Sequence, residues 1–132
     1  MSYDLVAFEP NSALDDRDSY MKWFKQEMQS AESYDPDVLT PKLRAWFHEM
    51  RKTFPPMNGP LASDDVDDPN LTEYGLGRSV IYASFSWSRA QAAYERATKL
   101  AAMHGVGFYD ISSTSGDIWL PTSDGRFEQL AG

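Results

Sequence analysis

Two histidines, a run of closely spaced aspartates and a scatter of serines are the side chains here that could ligate or react. His48 and His104 stand far apart in the chain. A helical zinc site wants two histidines four residues apart with a glutamate beside the first, and neither histidine fits. His104, just before Gly105, reads more simply as a cation-capable residue at a helix C-terminus. The chain has no cysteine, so it has no disulfide, thiol nucleophile or thiolate metal site.

The aspartates at 64, 65, 67 and 68 lie in Ser63-Asp64-Asp65-Val66-Asp67-Asp68-Pro69. An EF-hand would space its oxygen ligands regularly, with a central glycine and a final glutamate, and that pattern is not met. Three readings stay open: a solvated loop, a weak site for a hard cation, and a surface for a basic partner. Gly75 and Gly77 precede a strand, whereas a dinucleotide loop follows one. Gly105 and Gly107 follow a helix as cap and strand entry, and no Walker sequence occurs. Ser84, Ser86, Ser88, Ser112, Ser113 and Ser115 sit in no Gly-x-Ser-x-Gly elbow. With 20 acidic residues, chance carboxylate pairs are expected, so pairing alone does not signal glycosidase chemistry. These motifs imply no catalytic set, no cofactor and no metal.

The elements that would position these residues follow from periodicity. Tyr3 to Phe8 alternates like a strand and ends at the turn Glu9-Pro10-Asn11-Ser12. Asp15, Asp16 and Asp18 lead into a helix from about Asp16 to Ser30, with Tyr20, Trp23, Phe24 and Met28 at helical spacing. Thr40-Pro41 predicts a capped start to a second helix. Leu43, Trp46, Phe47, Met50 and Phe54 form its apolar face, and Pro55-Pro56 ends it. A long connector, Met57 to Thr72, holds the aspartate run; such loops are uncommon unless functional or disordered. Tyr74 to Gly77 enters the strand Val80 to Trp87, whose face Ile81, Ala83, Phe85 and Trp87 should meet the helices.

Ser88 with Gln91 predicts a capping box on a third helix, with an alanine-rich stripe from Ala90 to Ala101 and Gly105 as its stop. Val106 to Ser112 and Asp117 to Leu120 read as a hairpin around Ser113 to Gly116. From Pro121 onward the polar, Gly-containing tail is expected to be partly mobile. The expected architecture is one α+β domain over 1–132, of order β-α-α-β-α-β-β. Its mixed, mostly antiparallel sheet would carry the helices on one face. Trp23, Phe24, Trp46, Phe47, Phe85 and Trp87 fall on core faces; Tyr74, Tyr109 and Trp119 fall at strand ends or hairpin positions that can be exposed.

The chain has 132 residues, 42% of them hydrophobic, enough for one core. No basic stretch leads into an apolar run, and no segment is long enough to span a bilayer, so the expected compartment is the cytoplasm. A net charge of −8 argues against nucleic acid and anionic membranes as partners. It favours a basic protein, although net charge also simply keeps proteins soluble.

Five segments carry a resemblance: Met1-Ser2-Tyr3-Asp4-Leu5, Thr53-Phe54-Pro55-Pro56-Met57-Asn58-Gly59-Pro60, Ile81 to Trp87, Gly105-Val106-Gly107-Phe108-Tyr109-Asp110, and Ile118-Trp119-Leu120-Pro121. Together they resemble a family of small acidic bacterial proteins. Some members look like immunity proteins paired with toxins of interbacterial secretion systems. The resemblance implies a non-enzymatic inhibitor of a basic toxin domain, and specifically a toxin that transfers pyrophosphate to adenosine nucleotides. An acidic loop can mimic phosphate in such a site.

Three functions are compatible with these residues. The first is an immunity protein that occludes a toxin's active site through Asp64, Asp65, Asp67, Asp68 and Glu73, with Tyr74 as anchor. The second is a small enzyme or ligand-binding protein. Its pocket would lie between the sheet and the loop after the second helix, with Arg78, Asp110 and Asp117 as polar groups. The third is an interaction module whose partner is not a toxin.

Overall fold

The computed structural model describes residues 2–10 and 16–130. Asn11, Ser12 and Asp15, named above in the first turn and the helix lead-in, lie outside them. The strands are β1 (Ser2–Phe8), β2 (Glu73–Leu76), β3 (Val80–Ser86), β4 (Gly107–Tyr109), β5 (Ile118–Pro121) and β6 (Phe127–Gln129). The helices are α1 (Arg17–Met28), α2 (Pro41–Thr53) and α3 (Ala90–His104), with short 3-10 turns at Pro36–Val38 and Trp87–Arg89. One six-stranded sheet runs in the order β2-β3-β1-β4-β5-β6, and every pairing in it is antiparallel.

The α+β class stands, and the element order is corrected in two places. The segment from Tyr74 is not the entry to β3 but a strand of its own. It folds back on β3 with Glu73 opposite Ser84 and Leu76 opposite Ile81. The tail is not loose: Phe127 to Gln129 pairs with β5, and Phe127 packs edge-on against Phe108 at 4.9 Å.

Helices on one face is also a correction. Tyr3, Leu5 and Ala7 of β1 join Ile81, Ala83 and Phe85 of β3 in a core shared with α2 and α3. Val6, Phe8 and Val80 point the other way and pack with Tyr20 of α1, flanked by Trp23 and Phe24. Because β-strand side chains alternate, a helix on each side is what an apolar run such as Leu5-Val6-Ala7-Phe8 requires. Trp23 and Phe24 are partly buried there, while Trp46, Phe47 and Phe85 are buried in the larger core. Trp46 also donates its indole N–H to the Ala97 carbonyl at 3.0 Å, joining α2 to α3.

Helix termini follow the expected residues with two exceptions. Asp16 caps α1 by accepting from the Ser19 amide at 2.7 Å, and Gly105 closes α3 in the left-handed region at φ 69°. Thr40 precedes α2 but does not cap it; its hydroxyl donates to Glu9 at 3.1 Å and Pro41 supplies the start. The Ser88–Gln91 capping box does not form. Ser88 sits inside the 3-10 turn, and Gln91 instead bonds Glu95 one turn on. That turn lifts Trp87 off the β3 face, so the tryptophan expected in the core is 52% exposed.

Candidate functional site

The connector after α2 is a tied loop. Parallel bonds join it to its own start: Met57 donates to Thr72 at 3.0 Å and Thr72 to Pro55 at 3.0 Å. Ser63 donates to Pro56 at 2.9 Å, and Asn70 reaches the Thr53 carbonyl at 3.0 Å. Leu61 anchors the loop on the core. Its crest is built from side-chain-to-backbone turns, the habit of Ser and Asp. Ser63 accepts from the Asp65 amide, Asp65 from the Asp67 amide, and Asp68 from the Asn70 amide. Asp64, Asp65 and Asp67 are exposed around a Val66 that is 79% exposed, and Asp68 is half-buried. Among the described residues none of Asp64, Asp65, Asp67 and Asp68 is in a salt bridge. No group of acidic or histidine side chains among those residues is arranged to hold a metal ion.

Glu73 is exposed at the start of β2 and continues this acidic margin. Tyr74 does not present itself as an anchor. It is 3% exposed, packs edge-on against Phe47 at 5.1 Å, and donates its hydroxyl to the Phe54 carbonyl at 2.8 Å. Burial pushes its phenol well above the usual range. As the second residue of β2 it points inward while Glu73 points outward, and a sequence split into loop and strand does not fix that parity.

Glu73 leads a polar row that the sequence reading missed. Glu73 pairs with Ser84, and Ser84 with Asp4, so all three side chains share one sheet face. Asp4 accepts hydrogen bonds from Ser84, from Ser2 at 2.8 Å and from the Tyr82 hydroxyl at 2.7 Å. Burial acts to raise the Asp4 carboxyl, but these three donors together hold it below the usual range. The same bond, after burial, keeps the Tyr82 phenol protonated far up the scale. A cleft of about 540 Å³, lined by Glu32, Tyr34, Glu73, Tyr82 and Ser84, opens beside the row. Asp4 is saturated by neutral donors, which makes it an organiser of the sheet end and not an available base.

The polar groups of the second hypothesis are only partly gathered. Asp110 and Asp117 face each other across the β4–β5 turn, where the Asp110 amide donates to the Asp117 carbonyl at 2.9 Å. Burial first, and the Asp117 charge besides, raise the Asp110 carboxyl. Arg78 is not with them. It lies in the β2–β3 turn, where its carbonyl accepts from Thr40, beside Val80 and Phe8 at the far end of the sheet. Neither histidine joins a site. His48 accepts from Arg51 at 3.1 Å, and burial with Arg51 and Arg44 lowers its pKa. His104 occupies the last turn of α3.

Tyr109 is buried against Tyr20 and Phe24, and Trp119 is half-buried against Phe108. The exposed aromatic rings lie elsewhere, at Trp87, Tyr34 and Tyr94, the last 40% exposed. No helix among the described residues is long and apolar enough to cross a membrane. Compared with family models, curated proteins and solved structures, the chain matches none.

Proposed function

We propose that this chain is an immunity-type binding protein that docks a basic toxin domain through its acidic loop and blocks the toxin's active site. The carrying observation is that loop: on a crest ordered by local turns Asp64, Asp65 and Asp67 are exposed and Asp68 is half-buried, with no salt bridge to any of them among the described residues. Four unpaired carboxylates around an exposed valine repel one another in the free protein, and a basic partner relieves that repulsion. Loop ordering before binding lowers the entropy cost of docking. Glu73 extends the same charge onto the sheet end. The toxin class favoured by the resemblance, one that transfers pyrophosphate to adenosine nucleotides, would hold phosphate in a basic site that carboxylates can occupy.

The test is a pull-down from the organism that makes the chain, with the intact protein as bait beside a variant carrying Asp64, Asp65, Asp67 and Asp68→Lys. The expected result is one stoichiometric basic protein on the wild type. Its expression should be toxic, its toxicity should be relieved by this chain, and its affinity should drop at least roughly a hundredfold with the variant. Equal capture by a folded variant removes the loop from the interface. A captured protein whose toxicity the chain does not relieve removes the immunity reading.

A further inference from the structure

A second feature lies at the same end of the sheet as the acidic loop. Ser2 pairs with Ser86 there, and Ser86 leads into the 3-10 turn that carries Trp87. A cleft of about 650 Å³ opens between this turn, the first turns of α3 and the β4–β5 turn. Trp87 and Tyr94 wall it with two of the chain's most exposed aromatic rings, and Gln91, Ser112 and Asp110 supply polar groups. The Tyr94 ring is steadied edge-on by Phe108 at 6.2 Å.

Asp110 sets the sign of the occupant. Its carboxylate takes a neutral donor, the Tyr3 hydroxyl at 3.1 Å, while the Ser113 amide donates to the Asp110 main-chain carbonyl, and its charged neighbour is another acid, Asp117. No lysine or arginine lines the cleft. No backbone amide of α3 among the described residues donates to the carboxylate. A half-buried carboxylate without a counter-charge gains from a cation. Flat aromatic faces beside it gain from a cation that is itself flat.

We infer that the cleft between Trp87, Tyr94 and Asp110 receives an arginine side chain of the protein partner, its guanidinium against the rings and paired with Asp110. The inference rests on the reading of the chain as a binder of a basic protein. It assigns that partner an arginine at the same end of the sheet as the residues that meet the acidic loop. Arginine fits better than lysine because its weakly hydrated plane can stack and donate to the carboxylate at once.

The experiment needs no partner. The intact protein, labelled with ¹⁵N, is titrated with Nα-acetyl-arginine amide and, separately, with its neutral isostere Nα-acetyl-citrulline amide. The readout is the Trp87 indole N–H resonance, assigned with Trp87→Phe. Arginine amide should shift it saturably, citrulline amide should not, and Asp110→Asn should weaken the arginine response roughly three- to fivefold. The Gln91 side-chain amide gives a second readout, on which Trp87→Ala should weaken binding by a similar factor. Equal response to citrulline, or saturation at other resonances with Trp87 unmoved, overturns the proposal. So does an unchanged arginine response in Asp110→Asn. The aspartate-to-lysine pull-down reports on the loop alone, so failure of that reading leaves this titration unaffected.

Discussion

Two aspartates of this chain respond to pH with opposite sign. Asp4 is held below the ordinary carboxylate range in the folded state by Ser84, Tyr82 and Ser2, against the opposing effect of burial. Its stabilisation is therefore present above the unfolded pKa and lost as pH falls through the folded value. Asp4→Asn should cost about 1 kcal/mol at neutral pH, after discounting for exposure, and the gap to wild type should close on acidification. Urea unfolding at a series of pH values checks both halves. Asp110 is raised by burial and by Asp117. Its contribution is fullest below the unfolded pKa and is lost as pH rises through the folded value. Asp110→Asn should thus raise the melting temperature at neutral pH and not in acid; an unchanged melting temperature would mean that the carboxylate is already well solvated. Neither role was legible in sequence. Two of the three partners of Asp4, Tyr82 and Ser84, lie 78 and 80 residues away, and only strand register brings them in. The exposed aspartates, by contrast, were legible because a dense like-charge run has few places to go but outward.

Among the elements, α2 and the strand β3 were readable from period alone, since both carry an uninterrupted apolar face. The misread elements were those whose identity depends on neighbours. Strands β2 and β6 are four and three residues long, too short to show alternation, and exist because β3 and β5 offer them an edge. The start of α3 was misplaced because Ser88–Gln91 matches a capping pattern while the chain turns through 3-10 geometry first. Gly107 enters β4, as its place after the helix cap suggests, and its lack of a side chain also serves packing. A Cβ there would run into the Phe8 ring, which is fully buried between β1 and α1. Gly107→Ala should destabilise by about 1–3 kcal/mol, measured by thermal or urea unfolding. A loss of only a few tenths would mean that the ring can swing aside.

For the whole molecule, the error about helices on one face has a specific cause. The even-numbered face of β1 and β3 is apolar at one end, with Val6, Phe8 and Val80, and polar at the other, with Asp4, Ser84 and Ser86. Averaged along the strands it reads as a solvent face. In three dimensions α1 covers the apolar half and leaves the polar half open beside the acidic loop. Asp64, Asp65, Asp67, Asp68 and Glu73, five of the chain's 20 acidic residues, belong to that loop and the strand start beside it. Association with the captured basic protein should slow by roughly tenfold or more as salt rises from low to physiological levels, with dissociation changing far less. Stopped-flow rates at several ionic strengths test this, and a salt-independent on-rate would place the contact away from the loop.

Strand β1 sits in the middle of the sheet, between β3 and β4. On the ribosome this central rib is made before either neighbour, so Leu5-Val6-Ala7-Phe8 has no edge to join until Val80 to Ser86 has emerged. At ordinary synthesis rates that wait lasts several seconds. Nascent chains stalled before β3 should accordingly recruit chaperones through this apolar stretch, and the finished fold should form late and all at once.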